Sequence, residues 1–522
     1  MRHSFLECGS PLPLWKCRAG WNPIAGPIAI LLVLLTALTA SAQTDSLALL
    51  QTRLSNHIDA PRFAAAAWGI QIVSLDTGRT LFARDAQKLL KPASNAKLYT
   101  AALVLDRFGP DFRIQTSLRS RSRPDKSGTL RDDLVVYGRG DPSFAARFHD
   151  GAHTNLLAPL ADALAAAGVK RIKGDLVGDE SFFRGPPLGS QWAWEDLQYY
   201  YGAETSSLTI EDNTVDLLFS PGTKLDAPCR IVTLPVTSYL QFDNRTRTVA
   251  AGGRRQIQLY RPIGENIVHV TGQLPLGSTN FLDAAAVHQP ASWFVSLLAE
   301  ELDRRGIRVS GKLRIRNWLD HDAHPDRSSN LLEIASVPSP TLAGILPKML
   351  KPSQNLYAQL LLLQAGAPHH HATNSSVNTE DLGLSDLRRF LTEAGIAPNT
   401  VLLEDGSGLS RGTLVTPAAT VALLQFMHRH RHARVFRESL PVAGVDGTLR
   451  NRMKLTAAAE NVRAKTGTLR YVNTLSGYVT TRAGEPLAFS LMLNNYDGLA
   501  ARSDLDTIAV MLAEWNEHSP TP

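Results

Sequence analysis

The 522-residue sequence has few cysteines, little net charge and no long hydrophobic run. Its three cysteines exclude a disulfide-stapled scaffold and a cysteine-rich zinc domain. A formal net charge of +6 over so long a chain gives no reason to expect a nucleic-acid partner. The main apolar run is shorter than the roughly 20 residues of a membrane-spanning helix. The 44% of hydrophobic residues nevertheless suffices for buried cores, so a wholly disordered chain is excluded.

The N-terminus predicts export. Basic residues precede an uncharged stretch at 19–44, which contains the apolar run 27–40 and ends near Ala40-Ser41-Ala42. This order is typical of a secretory signal peptide, so we expect cleavage after Ala42 and a periplasmic or cell-envelope location. An uncleaved signal anchor is the alternative, and any other membrane contact would be peripheral. The mature chain would keep only Cys229 and therefore no internal disulfide.

Predicted strands and helices divide the chain into a split core and a middle section. Residues 68–84 predict two strands around a turn, and 96–108 predict a helix with Ser94 or Asn95 as N-cap. The middle alternates short β-like runs with Gly, Pro and Asp turns, whereas the end returns to apolar helices, including one pattern at 342–365, and to strands. We therefore expect both ends to share one sheet. The predicted division is a signal peptide at 1–42, a first core part at 43–113, a β-rich insert of one domain or two nested domains at 114–320, and a second core part at 321–522.

Ser94-Asn95-Ala96-Lys97 places a serine and a lysine one helical turn apart at a predicted helix start. The two side chains then share a face, so the lysine amine can reach the serine hydroxyl. A serine needs such a base to become a nucleophile, and a buried lysine kept neutral can serve. Taken alone, the pattern equally fits a capping serine beside a solvated lysine.

Two further patterns follow in the chain. Ser353-Gln354-Asn355 precedes a predicted helix, and alone it fits an ordinary loop or cap. Lys465-Thr466-Gly467 opens a predicted strand, where glycine would let a substrate backbone lie close while Lys465 and Thr466 offer a cation and a hydroxyl. Its alternative is a polar turn.

The three patterns in this order resemble the signature of penicillin-recognising serine acyl-transferases. Nearly the whole chain after the N-terminus is similar to the D-alanyl-D-alanine carboxypeptidase/endopeptidase family, the class C low-molecular-mass penicillin-binding proteins. Stretches at 140–142, 192–203, 405–411 and 440–448 also look like that family. The long interval between Lys97 and Ser353 matches its characteristic insertion. The resemblance implies an α/β fold with a β-lactamase/transpeptidase-like core, an antiparallel sheet flanked by helices, split by nested β-rich insert domains.

The resemblance also implies a role for each residue. Ser94 would attack the D-Ala-D-Ala bond of a peptidoglycan stem peptide, with Lys97 as base in acylation, although which lysine or water acts in each step is left open. Ser353 would pass a proton to the departing amine, and Asn355 would hold Lys97. Substrate would bind to Lys465, Thr466, Gly467 and Thr468, and β-lactams would be covalent inhibitors. Arg411 would reach the distal end of the substrate side chain, and the insert segment with Asp179 and Phe183 would close over that end. The alternative for these three residues is a surface ion pair or core packing.

Other functions stay open at this stage. A serine β-lactamase would use the same acylation, but no glutamate between Asn355 and Lys465 has the Asn four residues on that the class A motif requires. A non-catalytic wall-binding or penicillin-sensing module is disfavoured because every nucleophilic element is present. The histidine-rich stretches are at 369–371, in a predicted polar loop, and at 428–432, at the end of a predicted basic helix. Both lack recognisable ligand spacing, so we predict no metal and no cofactor. The sequence does not distinguish carboxypeptidase from endopeptidase action.

Overall fold

The computed structural model describes residues 47–325, 330–373, 376–498 and 500–518, so the predicted signal peptide lies outside the described residues. The helices are α1 (Leu47–Ile58), α2 (Ala96–Phe108), α3 (Ala158–Ala166), α4 (Pro290–Arg304), α5 (Trp318–Ala323), α6 (Leu342–Leu350), α7 (Asn355–Thr373), α8 (Thr379–Glu393), α9 (Pro417–Arg429), α10 (Ala433–Glu438) and α11 (Ala501–Glu514). The strands are β1 (Ala67–Ser74), β2 (Thr80–Arg84), β3 (Gln115–Ser120), β4 (Thr129–Leu130), β5 (Leu134–Tyr137), β6 (Arg171–Ile172), β7 (Leu176–Asp179), β8 (Thr214–Ser220), β9 (Arg230–Leu234), β10 (Gln241–Val249), β11 (Gln256–Tyr260), β12 (Ile267–Pro275), β13 (Phe281–Ala286), β14 (Arg308–Val309), β15 (Leu313–Arg316), β16 (Leu332–Pro338), β17 (Val401–Leu402), β18 (Leu414–Val415), β19 (Arg463–Leu469), β20 (Val472–Thr480) and β21 (Pro486–Asn494).

A five-stranded antiparallel sheet joins the two ends of the chain. Its order is β19-β20-β21-β1-β2, and the register pairs Ile70 with Leu491 and Lys465 with Ser476. The expected shared sheet is therefore confirmed. Because β19 is an edge strand of this sheet, one side of its backbone is not paired within the sheet.

Helices cover both faces of this sheet. On one face lie α2 and α7, whose apolar side chains are almost all buried, and α9 packs against β1 and β21. On the other face, α1 and α11 bury their apolar stripes against the sheet. Helices on both sides of an antiparallel sheet are the arrangement of the expected core, so the predicted α/β fold class is confirmed.

The middle of the chain builds its own β-rich core. Strands β15-β7-β5-β3-β16 form a mixed five-stranded sheet, and three smaller sheets contain β10-β12-β11, β13-β8-β9 and β14-β6-β4. Their apolar side chains, with those of α3 and α4, form one separate buried cluster. Strand β16 lies beyond the expected insert end at 320 yet pairs with β3. The domain boundaries stay predictions.

Three local details differ from the sequence-based expectation. The single helical pattern at 342–365 is divided into α6 and α7, and the break contains Ser353 with a left-handed φ of 65°. Neither Ser94 nor Asn95 caps α2 through its side chain, because both lie in a 3₁₀ turn and the Asn95 amide donates to Ser476 Oγ instead. Residues 369–371 continue α7 and do not form the expected loop.

No helix among the described residues is long and apolar enough to cross a membrane.

Candidate active site

Ser94 lies in a tight turn that feeds α2. The 3₁₀ turn Ala93–Asn95 continues directly into the helix, and Ala93 takes a left-handed φ of 47°. Ser94 stays partly exposed, whereas Lys97, one turn later, is completely buried. The turn therefore presents the hydroxyl to solvent and keeps the amine in the protein interior.

The Lys97 amine has three polar neighbours. Its Nζ lies 2.9 Å from Ser94 Oγ, 2.6 Å from Asn355 Oδ1 and 2.8 Å from the backbone oxygen of Ser407. The Asn355 amide is held in this orientation because its Nδ2 donates to the Tyr201 carbonyl oxygen at 2.8 Å. Two of the three neighbours are therefore pure acceptors. A neutral amine can donate its two N–H bonds to them and direct its lone pair at the Ser94 hydroxyl.

Burial also changes the proton affinity of this amine. Loss of hydration lowers the pKa of Lys97 from 10.5 to about 7, and the Asp405 carboxylate partly opposes the shift. At neutral pH a large share of the molecules then carries an unprotonated Lys97. An amine with a pKa near the working pH suits a general base.

Ser353 and Lys465 form the second polar pair. The backbone break between α6 and α7 orients Ser353, whose Oγ accepts a hydrogen bond from Lys465 Nζ at 2.8 Å. The same Nζ donates to the Thr466 carbonyl oxygen at 2.7 Å. Lys465 is also completely buried, and burial together with repulsion from Lys97 holds its pKa well below 10.5.

Gly467 allows β19 to lie against the Ser94 turn. A Cβ at this position would lie 2.2 Å from Thr474 Oγ1, 2.6 Å from the Pro92 carbonyl oxygen and 3.0 Å from the Ser94 nitrogen. Any side chain would therefore push the edge strand away from the nucleophile turn. The two neighbouring threonines differ in exposure. Thr466 is buried, and its Oγ1 hydrogen-bonds to Thr448 Oγ1 at 2.7 Å, whereas Thr468 is exposed.

These residues meet at one cavity of about 860 Å³, which we call the cleft. It collects the sequence-predicted residues Ser94, Ser353, Asn355, Arg411, Thr466 and Thr468. The buried Lys97 and Lys465 reach it through their hydrogen bonds to the two serines. Residues from three distant parts of the chain thus form one constellation of nucleophile, buried amines and exposed hydroxyls, as acyl transfer requires.

Comparison with known proteins shows which family the chain belongs to. The model of the D-Ala-D-Ala carboxypeptidase 3 (S13) family matches residues 50–515. The chain belongs to this family. The expected relationship to D-alanyl-D-alanine carboxypeptidases and penicillin-binding proteins is therefore confirmed.

Individual members of the S13 family are similar over most of their length. A D-alanyl-D-alanine carboxypeptidase of an Actinomadura species is 34% identical over 537 residues, covering 98% of this chain and 95% of that protein. The D-alanyl-D-alanine carboxypeptidase DacB of Haemophilus influenzae is 29% identical over 412 residues, covering 77% and 80%. The crystal structure of penicillin-binding protein 4 (dacB) of that organism superposes with a TM-score of 0.72 at 25% identity, covering 88% of this chain and 97% of that one.

The expected distal contacts of this S13 chain fall in different places. Arg411 lines the cleft, where its Nη2 lies 3.3 Å from Asp196 Oδ2. Asp179 is buried in β7 and pairs with Arg316 of the neighbouring β15 at 3.2 Å. Phe183 belongs to the buried core cluster, and its ring lies next to Gly140. The structure therefore brings Arg411, but neither Asp179 nor Phe183, to the cleft.

Sequence reasoning assigned no role to several residues that build the S13 site. Asp405 is completely buried and accepts hydrogen bonds from Trp192 Nε1 at 2.9 Å and from Gly408 N at 2.9 Å. This carboxylate fixes the loop whose Ser407 carbonyl oxygen receives Lys97. The available signal was the resemblance of stretches 192–203 and 405–411 to the family, which pointed to these loops without revealing their contact.

Proposed function

We propose that the chain is a serine-type D-Ala-D-Ala carboxypeptidase that acts on peptidoglycan stem peptides through an acyl-enzyme on Ser94. The observation that carries the proposal is the buried Lys97 amine, with two acceptors fixed by the fold and the Ser94 hydroxyl as its third neighbour. This arrangement supplies a nucleophile and its base at neutral pH.

In the first step, Ser94 Oγ attacks the carbonyl carbon between the two D-alanines while its proton passes to neutral Lys97. The resulting oxyanion would be stabilised by the backbone N–H groups of Ser94 and Thr468. Loss of one such donor typically costs about 3 kcal/mol of transition-state stabilisation. Support for this pair comes from Gly467, which holds the edge strand against the Ser94 turn.

Collapse of the intermediate breaks the peptide bond and leaves an ester on Ser94. The departing D-alanine nitrogen needs a proton, which Ser353 would supply from the Lys465 side, since Lys465 Nζ donates to Ser353 Oγ. Lys465, Thr466 and Thr468 would hold the terminal carboxylate. Water then hydrolyses the ester, and Ser94 regains its proton.

We further propose DD-endopeptidase action on cross-linked strands. Both reactions cleave the same bond and differ only in whether free D-alanine or a partner strand leaves. The cleft is open and has a volume of about 860 Å³, which leaves room for the larger leaving group. Arg411 would contact the side chain of the third stem residue, while Asp179 and Phe183 would act only by shaping the insert.

Penicillin should acylate Ser94 and stay bound. The only carboxylates among the described cleft residues are Glu195 and Asp196. None of the described glutamates between Asn355 and Lys465 lines the cleft, and Glu380 bonds to Gln359 and Ser190 away from it. A β-lactamase would need a carboxylate that activates the deacylating water, so this alternative is disfavoured.

The decisive experiment is mass spectrometry after penicillin treatment. We expect an adduct on Ser94 in the wild type and none in Ser94→Ala, with release of D-alanine from purified pentapeptide by the wild type alone. An unlabelled wild type would favour a non-catalytic binding module, and rapid nitrocefin turnover would favour a β-lactamase. Chromatography of digested monomeric and cross-linked muropeptides separates carboxypeptidase from endopeptidase action.

We also propose that the enzyme acts outside the cytoplasmic membrane. The support is the signal-like order of charge, apolar run and small residues at 1–42 and the proposed location of the substrate in the cell wall. Fractionation of cells expressing the full chain, with N-terminal sequencing of the mature protein, tests both the location and cleavage after Ala42.

A further inference from the structure

A second, smaller cavity lies beside the cleft on the other side of one short segment. It has a volume of about 300 Å³ and is lined by Trp194, Leu197, Gln198, Tyr260, Arg261 and Ile263. We call it the insert pocket. The segment 193–201 divides its residues between the two cavities, because Ala193, Glu195, Asp196, Tyr200 and Tyr201 line the cleft. The two cavities are therefore separated by little more than the thickness of one backbone.

The rim of the insert pocket is apolar and open. Trp194 is 64% exposed, Tyr260 is 53% exposed and Ile263 is 64% exposed. Three large side chains exposed around one cavity form a contiguous apolar surface, and such surfaces mark interaction sites more often than single exposed residues do. Aromatic rings with one free face are suited to ligands that combine an apolar face with a polar edge.

The base of the insert pocket holds a buried positive charge. Arg261 is only 5% exposed, and its guanidinium donates to the carbonyl oxygens of Leu197, Pro262 and Glu265 at 2.8 to 3.2 Å. No carboxylate in the described part of the chain lies within ion-pair distance of it, and its Nε has no hydrogen-bond partner there. Burial lowers the pKa of this group, with Glu204 opposing at longer range. A buried cation without a direct counter-charge is costly, and a ligand with oxygen acceptors would compensate for it.

The distance from the reacting bond fits a stem peptide. The Tyr201 carbonyl oxygen bonds to Asn355, and the Leu197 carbonyl oxygen bonds to Arg261, so four residues join the two sites. Four residues span at most about 14 Å, and here less, because 194–198 and 200–202 form 3₁₀ turns. A stem of four or five residues spans about 14 to 18 Å when extended. Substrate bound with its D-Ala-D-Ala end at Ser94 can therefore bring its sugar-bearing end to the insert pocket.

We propose that the insert pocket binds an N-acetylated hexosamine of the glycan strand that carries the stem peptide. The sugar ring would stack on Trp194 and Tyr260, its acetamido methyl group would contact Leu197 and Ile263, and its oxygen atoms would face the Arg261 end. This inference rests on the proposed function. It predicts a higher kcat/KM for a glycan-bearing substrate than for the free stem peptide.

The test compares disaccharide-pentapeptide with the same pentapeptide without sugars. For the wild type we expect kcat/KM to be about tenfold higher on the sugar-bearing substrate, since one well-packed aromatic contact is typically of that size. Trp194→Ala and Tyr260→Ala should remove this preference and leave hydrolysis of the free pentapeptide within about twofold. The matched control is Leu282→Ala, which removes a 68%-exposed side chain elsewhere on the insert and should keep the preference.

A binding experiment with no peptide bond separates this proposal from the proposed function. Ser94→Ala is titrated with a peptide-free tetrasaccharide of the glycan strand by calorimetry, and the double variant Ser94→Ala/Trp194→Ala should bind at least tenfold more weakly. Absence of binding, equal wild-type rates on both substrates, or an equal loss on both substrates in Trp194→Ala would overturn the proposal. A change in sedimentation of Trp194→Ala with substrate preference intact would identify the surface as a subunit contact instead. Failure of the proposed function would appear separately, as no Ser94-dependent release of D-alanine from either substrate.

Discussion

The protonation state of Lys97 is expected to control how fast penicillin acylates Ser94. The perturbation is pH, and the magnitude follows from the pKa of about 7 that burial imposes on this amine. The neutral fraction is then about 10% at pH 6, half at pH 7 and about 90% at pH 8. With an ordinary lysine pKa the neutral fraction at pH 7 would be roughly a thousandfold smaller. The second-order labelling rate should therefore rise about ninefold from pH 6 to pH 8 and then level off.

The assay is labelling with a fluorescent penicillin at pH 5 to 9, read by gel or stopped flow. Lys97→Arg is the matched variant, because a guanidinium stays protonated throughout this range and should label at no pH. Circular dichroism shows whether the variant folds. A labelling rate that is flat from pH 5 to 8, or a folded Lys97→Arg that labels at the wild-type rate, would refute the assignment of Lys97 as base. A labelling rate that still rises steeply between pH 8 and pH 9 would refute the lowered pKa.

Three further predictions concern packing and buried charge. Gly467→Ala should reduce penicillin labelling by at least about a hundredfold, because the new Cβ would meet the backbone of Pro92 and Ser94. The control is Gly344→Ala in α6, which should label normally because its Cβ would have no contact closer than 3.5 Å. Equal labelling of both variants would contradict the close approach at Gly467. Trp192→Phe removes the indole donor to the buried Asp405 and should lower the free energy of unfolding by about 1.5 to 3 kcal/mol in urea titration; an unchanged midpoint would indicate a replacement donor. Burial raises the pKa of Asp141 from 3.8 to about 6, so the folded state holds this proton more tightly and stability is lost as pH rises from about 4 to 6. Asp141→Asn should therefore raise the free energy of unfolding by up to about 3 kcal/mol at pH 8 and leave it unchanged at pH 4, as measured by thermal melts. The same difference between variant and wild type at both pH values would exclude this effect.

The core and the nucleophilic residues could be predicted because local signals and chemistry agree there. The spacing of Ser94 and Lys97 needs only one helical turn to bring the two side chains together, and the structure has that turn. The helix bounds at 96–108 and the strands near both ends follow apolar periodicity, which is a short-range property. Ser353 interrupts an apolar pattern whose periodicity continues on both sides, so the break into two helices left no signal in the hydrophobic residues.

Contacts between distant loops could not be predicted in the same way. Trp192 and Asp405 meet across 213 positions, and nothing in either stretch specifies the other. The side-chain direction of Asp179 depends on how β7 pairs within the insert sheet, and Phe183 lies in the loop after that strand. The carboxylate pairs with Arg316 of the parallel neighbour β15, which a reading of the strand alone could not place.

The shared sheet has a consequence for synthesis. Asn95, beside the nucleophile, donates to Ser476, which lies 381 positions later on β20. At about 5 to 20 residues per second, some 20 to 75 seconds separate the appearance of these two residues. Neither the Ser94 turn nor the neutral Lys97 can be assembled before then, because β19 and β20 do not yet exist. The active site therefore cannot assemble until β19 and β20 have been made, and a chain stopped before β20 would pair β1 with β2 alone and would have no reactive serine.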